Sequence, residues 1–196
     1  MLYIGIDLGT SAVKLLLMDE KGSILHQVSR DYPVEYPHPG WSQQNPEDWW
    51  LRVQEGITVL LKDQEAHKVK GIGVAGQMHG LVALDHAGQV IRPAILWNDS
   101  RTQPQTDFLN QDPGKEALSR LTGNIAFAGF TAPKLLWMRQ EEPNLFARIA
   151  KILLPKDYIN YRLTGVLSTD YSDASGTLLL DVEKGCWSQP MLDLCG

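Results

Sequence analysis

Residues 5–14 read GIDLGTSAVK. An acid, a glycine and two hydroxyl residues separate two apolar runs, LYIGID at 2–7 and AVKLLLMD at 12–19, which read as strands. A strand, a tight turn and a strand leave the backbone N–H groups of Gly9, Thr10 and Ser11 clustered and unpaired at the turn. Such a concavity suits phosphate oxygens. The hydroxyls of Thr10 and Ser11 add donors, and Lys14 lies one alternation further on. Asp7 ends the first strand aimed at the same place. A carboxylate beside a phosphate is repulsive unless a cation lies between them, so Asp7 predicts Mg²⁺ held through water. The same letters also suit a plain glycine hairpin whose Asp stabilises the turn. The rest of the chain has to decide.

The chain has 196 residues, 43% apolar and 21% charged, ordinary for a globular protein and too apolar for disorder. Its net charge is −5 and it has no basic block, which argues against a nucleic-acid partner. ITVLL at 57–61, KILLP at 151–155 and GTLLL at 176–180 are far too short for a membrane span. MLYIGIDLG lacks the basic start and cleavage site of a signal peptide. The two cysteines, Cys186 and Cys195, have no partners at metal-ligand spacing and read as free thiols in a reducing cytoplasm.

Further along, KGS at 21–23 turns the second strand into a third run, ILHQVSRDYPV at 24–34, completing an antiparallel meander. A loop rich in Pro and Gly follows, and then a helix. Asn45 suits its N-cap, Pro46 its first position, and Glu47 and Asp48 face the positive end of its dipole. Trp50, Val53, Ile57 and Leu60 recur at helical spacing as a buried stripe. VKGIGVAG at 69–76 and GLVALD at 80–85 read as a fourth and a fifth strand. GIGVAG at 71–76 matches the dinucleotide pattern G-x-G-x-x-G, which has meaning only after a strand and at the opening of a helix. Here a helix precedes it and more strand follows. Its glycines are instead expected to allow close approach of a backbone or a ligand. After residue 102 the chain turns mainly helical, with Pro133 and Pro155 in first turns and one helix ending near LTG at 163–165.

Two further stretches carry polar chemistry. GQMHG at 76–80 lies between strand-like runs, and a polar loop with one packed Met is its plain reading. LWNDSRT at 96–102 sets an aromatic, an amide and two charges at a strand end, the composition that grips sugar hydroxyls.

GIDLGTSAVK, GQMHG, PAILWNDSRT, GFTAPKLLW, LLPKDYINYRLTG and TDYSDASGT, in this order and spacing, closely resemble the FGGY carbohydrate kinases over nearly the whole chain. GQMHG followed by LWNDSRT resembles the members that act on D-xylulose. The resemblance implies an α/β fold of the actin-like, ribonuclease-H-like ATPase type, with a mixed sheet, a three-strand antiparallel meander and flanking helices. It implies phosphoryl transfer from ATP, with Mg²⁺, to D-xylulose, giving D-xylulose 5-phosphate, and it allows a homodimer. Asp7 then matches the acid near the metal, and Gly9, Thr10 and Ser11, with Lys14, the phosphate loop. Met78 and His79 match the pair that contacts the ketose. Trp97, Asn98 and Asp99 match the strand end lining the sugar pocket, and Phe130 closes one wall. By the same comparison residues 1–196 are a first domain, incomplete at the carboxyl end. Gly196 precedes the glycine-rich segment that bears the general base, and the second domain with its adenosine pocket is absent.

Three readings are set side by side: part of a sugar kinase, for D-xylulose or for a gluconokinase-type substrate; a ketose-binding module without catalysis; and an actin-like ATPase or sugar-responsive regulator. GQMHG separates the first from the third, since a filament protein has no use for a sugar-contacting loop.

Overall fold

The computed structural model describes residues 1–196. Its first three strands are the expected meander: β1 Leu2–Leu8, β2 Ala12–Asp19 and β3 Ile24–Asp31, each antiparallel to the next. The register places Leu8 opposite Val13 and Asp7 opposite Lys14, so the turn between them holds Gly9, Thr10 and Ser11. Alternation sends Leu2, Ile4, Ile6 and Leu8 with Val13, Leu15 and Leu17 to one buried face.

A short strand, β4 Gln43–Gln44, leads into helix α1, Pro46–Leu60. The Asn45 side chain accepts from the Glu47 N–H at 3.1 Å, with Pro46 in the first turn and Glu47 and Asp48 by the dipole's positive end. The helix covers the buried face of β2 and β3. Its deepest residues are Trp49, Val53, Gly56 and Leu60. Here the structure corrects the expected stripe: Trp49 is fully buried, while Trp50 and Ile57 flank the core partly exposed. Of two adjacent tryptophans, the inward one also satisfies its indole, donating to Gln44 Oε1 at 3.1 Å. A Cβ on Gly56 would meet the Leu15 side chain, so glycine is what lets the helix settle onto β2.

Strand β5, Val69–Gly76, returns parallel to β1 and completes a mixed sheet in the order β3-β2-β1-β5. The GIGVAG glycines lie wholly inside this strand, with no helix opening after them. Gly71 and Gly73 share a face with Asp7 and Lys14, and nothing within 4 Å crosses Gly73, so that face of the sheet is bare.

The GLVALD run contributes the expected strand, β6, Val82–Leu84, which lies outside the four-stranded sheet. After β7 (Ala94–Ile95), which pairs with β4, come α2 (Gln103–Leu109), α3 (Lys115–Thr122), α4 (Thr131–Glu141) and α5 (Pro143–Phe146). The following strand β8, Lys151–Leu153, is the antiparallel partner of β6. The chain ends with α6 (Pro155–Thr164), α7 (Tyr171–Ser175), a hairpin of β9 (Leu180–Asp181) with β10 (Cys186–Trp187), and α8 (Gln189–Cys195). Pro133 stands in the first turn of α4, Pro155 opens α6, and Gly165 closes α6 at φ 75°. A second apolar core, including Leu81, Ile95, Leu109, Leu136 and Met138, joins this helical part. Both cysteines are free thiols. No helix is long and apolar enough to cross a membrane.

Candidate functional site

The β1–β2 turn is held from behind by residues distant in sequence. The Tyr32 hydroxyl donates to the Gly9 carbonyl at 2.5 Å, and the Tyr32 N–H donates to the Ser11 carbonyl at 3.2 Å. Burial, and then the nearby Asp7 charge, pushes the Tyr32 phenol far above its ordinary range, so it stays a neutral donor. Gln44 Nε2 donates to the Thr10 carbonyl at 2.7 Å. With the carbonyls drawn backward, the N–H groups of Thr10 and Ser11 make no hydrogen bond within the protein. Gly9 differs from expectation, because its N–H closes the turn onto the Ala12 carbonyl at 3.0 Å. The free donors are therefore the N–H groups of Thr10 and Ser11 and their hydroxyls.

Asp7 and Lys14 stand side by side on the bare face of the sheet, both exposed. No three His, Cys, Asp or Glu side chains form a group able to share a metal ion. The single carboxylate of Asp7 fits Mg²⁺ nonetheless, since that ion commonly takes one or two carboxylates and fills its octahedron with water and phosphate oxygens.

The strand end after β7 comes to the same turn. Trp97, 42% exposed, donates its indole Nε1–H to Thr10 Oγ1 at 3.1 Å. Asn98 beside it is exposed. Asp99 departs from the expected sugar wall. It is buried, its oxygens accept from the Ser42 N–H at 2.6 Å and the Arg101 N–H at 2.8 Å, and it pairs with the Arg101 guanidinium at 2.8 Å. Arg101 in turn lies 3.8 Å from the Trp41 ring centre. An acid this fully engaged holds the Trp97–Asn98 corner in place and offers no oxygen outward.

Loop 76–80 is the third piece. Gln77 ties it to the turn, its N–H donating to the Leu8 carbonyl at 2.8 Å and its Nε2 to Gln44 Oε1 at 3.1 Å. Met78 is 40% exposed. His79 adopts φ 62°, a left-handed conformation that few residues other than glycine take without support. Its ring lies 4.7 Å from that of Phe130, and Phe127 packs behind Phe130 at 5.3 Å. Burial first, and the Lys134 charge second, hold the His79 imidazole below its ordinary pKa and so favour the neutral ring. A Cβ on Gly129 would stand 2.6 Å from the Trp97 carbonyl, so the Phe130 segment also touches the strand end.

Thr10 and Trp97 are thus joined by a hydrogen bond, and Phe130 and His79 by ring contact. Gly129 against the Trp97 carbonyl links the two pairs into one wall, with Asp7 and Lys14 around the turn's edge. Three residues that build it were not singled out in the sequence: Tyr32, Gln44 and Gln77. The two glutamines look like ordinary loop amides, and only pairing across 33 residues shows that they act together.

Against known proteins, the N-terminal domain of the FGGY family of carbohydrate kinases matches residues 2–196. A curated relative, the xylulose kinase of Klebsiella pneumoniae, is 48% identical over 195 residues, covering 99% of this chain and 40% of its own length. Among solved structures, a xyloylose kinase from Brucella ovis superposes with a TM-score of 0.94 at 44% identity, covering all of this chain and 41% of its own. A gluconate kinase from Lactobacillus acidophilus superposes with a TM-score of 0.93 at 30% identity, over 99% of this chain and 39% of its own. The chain therefore spans about 40% of the length of the relative it matches. The two structures superpose almost equally well, and the identity is higher to the Brucella ovis protein. Family match, sheet order and turn agree: this chain belongs to the FGGY family of carbohydrate kinases, as its N-terminal domain.

Proposed function

We propose that this chain is the first of two domains of a kinase that transfers the γ-phosphoryl group of MgATP to D-xylulose, giving D-xylulose 5-phosphate. The observation that carries the reading is the 3.1 Å hydrogen bond between Trp97 and Thr10, which joins a phosphate-type turn to an aromatic sugar wall. In this reading the N–H groups and hydroxyls of Thr10 and Ser11 take phosphate oxygens, with Lys14 adding positive charge. Asp7 holds Mg²⁺ through water, and the ion supplies neutralisation of the charge on the transferring group. On the sugar side, Trp97 offers its face, Asn98 an amide, Met78 an apolar contact and His79 a neutral imidazole. Phe130 keeps the His79 ring in place.

The test is a coupled ADP-release assay on the full-length enzyme with D-xylulose and D-gluconate compared, wild type beside His79→Ala. D-Xylulose is expected to give the higher kcat/KM. The substitution should lower kcat/KM for the sugar by about 10- to 100-fold, the cost of leaving one sugar hydroxyl unpaired, with KM for ATP little changed. Preference for gluconate, or no sugar-dependent turnover at all, overturns the reading. Equal losses toward sugar and nucleotide return His79 to the scaffold.

A further inference from the structure

Lys134 lies in the first turn and a half of α4, is 0% exposed, and sits among the buried Leu135, Leu136, Trp137 and Met138. An ammonium taken fully out of water is costly unless it is paired, and a leucine or methionine would serve the packing at lower cost. Lys134 pairs with no carboxylate. Its Nζ donates instead to two backbone carbonyls, His79 at 3.1 Å and Gly129. The hydroxyl of Thr131, from the same helix turn, donates to the same His79 carbonyl at 3.1 Å. Two donors from one helix thus grip the carbonyl of a residue held at φ 62°. The second arm of the ammonium grips the residue that precedes Phe130 and touches the Trp97 carbonyl. One buried side chain therefore stands behind three segments that carry the wall: the His79 loop, the Phe130 segment and the strand end at Trp97.

We propose that Lys134 is a positioning residue for sugar recognition, clamping the backbones of His79 and Gly129 so that the His79 and Phe130 rings are set before the sugar arrives. It touches backbone only and acts through the residues it holds. Binding then does not have to supply the ordering of a left-handed loop, which is where pre-organisation gains affinity. The phosphate turn receives no hydrogen bond from Lys134, and the clamp holds the His79 and Gly129 backbones without touching the Trp97–Thr10 bond, so its effect falls on the sugar. This inference rests on the sugar-kinase reading above.

The experiment compares wild type, Lys134→Met and Thr131→Val in the full-length enzyme. It measures KM for D-xylulose, KM for ATP, the thermal midpoint, and backbone amide NMR signals of residues 77–80, 129–130 and 9–11. Lys134→Met keeps length and apolar stem while removing both donors. It should raise KM for the sugar about tenfold, with KM for ATP within about twofold. Thr131→Val, which removes one of the two grips, should shift the sugar KM in the same direction by a smaller factor. This milder variant keeps the test alive if Lys134→Met fails to fold. The NMR arm needs no turnover: signals at 77–80 and 129–130 should move or broaden in the variants while those at 9–11 stay. If the wild type ignores D-xylulose but the NMR arm holds, the sugar reading fails and the clamp stands. A sugar KM unchanged in both variants, or both KM values rising together, overturns the positioning role.

Discussion

The indole of Trp97 donates to the hydroxyl of Thr10 at 3.1 Å, across 87 positions of chain. A hydroxyl carries one proton and two lone pairs. With one lone pair filled by the indole, the Thr10 hydroxyl keeps its proton available to donate. In the proposed reading, a residue of the sugar wall is thereby tied to a donor of the phosphate turn.

This relationship predicts non-additive kinetics. Trp97→Phe keeps an aromatic face but loses the N–H, and Thr10→Val keeps the shape but loses the hydroxyl. Each alone should raise KM for ATP, and Trp97→Phe should do so despite its proposed place on the sugar wall. In a double-mutant cycle the two should couple by about 1 kcal/mol, as groups sharing a hydrogen bond do. Strictly additive effects would show that the contact does not join the two sides.

Much of the scaffold was legible in the residues, for local reasons. The strand–turn–strand of 2–19, the Asn45 cap, and Pro155 with Gly165 bounding α6 each follow from neighbours a few positions apart. What failed depends on distant partners. Trp49 and Trp50 both fit a helical stripe, and the choice between them lies with Gln44, which gives the inner indole its acceptor. GLVALD is legible as a strand, but which strand it pairs with is not, because that partner, Lys151–Leu153, lies some 70 residues on. Asp99 looks like a sugar ligand until Ser42 and Arg101 are seen to engage it, with Trp41 stacked on the Arg101 guanidinium. The motifs that contain Thr10, His79 and Trp97 are visible in the sequence itself. The buried amides and Lys134 that hold them have no motif of their own.

Asp7 is exposed and opposite Lys14, so its role can be separated from folding. Asp7→Asn should leave the thermal midpoint near wild type and KM for the sugar unchanged. It should lower kcat about a hundredfold or more, the scale of several kcal/mol of lost charge stabilisation around the transferring group. Raising Mg²⁺ should recover part of the loss. A near-normal kcat at ordinary Mg²⁺ would end the metal assignment.

Asp99 predicts the opposite pattern. Both members of the Asp99–Arg101 pair have fully buried side chains. Asp99→Ala leaves the guanidinium without its counter-charge and should destabilise the chain by about 3–5 kcal/mol in urea unfolding. Adding Arg101→Met to that variant should restore part of the loss, because the stranded charge goes with it. If Asp99→Ala leaves stability untouched and weakens only sugar binding, Asp99 belongs to the pocket after all.

The last prediction concerns pH and Lys134. Burial pushes its ammonium from the ordinary lysine value down to about 7 in the folded chain, with Asp99 working against the shift and Arg101 adding to it. Between pH 7 and the ordinary value of about 10.4, the unfolded chain binds a proton that the folded chain lacks. Stability contributed by this group therefore rises with pH across that window, by up to about 1.4 kcal/mol per pH unit. Below about pH 7 both states are protonated, and the full cost of burying the charge is present. Lys134→Met removes the titration and keeps most of the volume. The unfolding free energy of wild type minus that of Lys134→Met should thus climb from pH 7.5 to pH 9.5, a range chosen above the titration of His79, whose pKa is itself lowered. Taking the difference cancels the groups common to both chains. Equilibrium urea unfolding in buffers of matched ionic strength gives the measurement. Parallel pH profiles for the two proteins would mean that Lys134 keeps its proton throughout, and that the two carbonyls and Asp99 suffice to hold a full charge in the core.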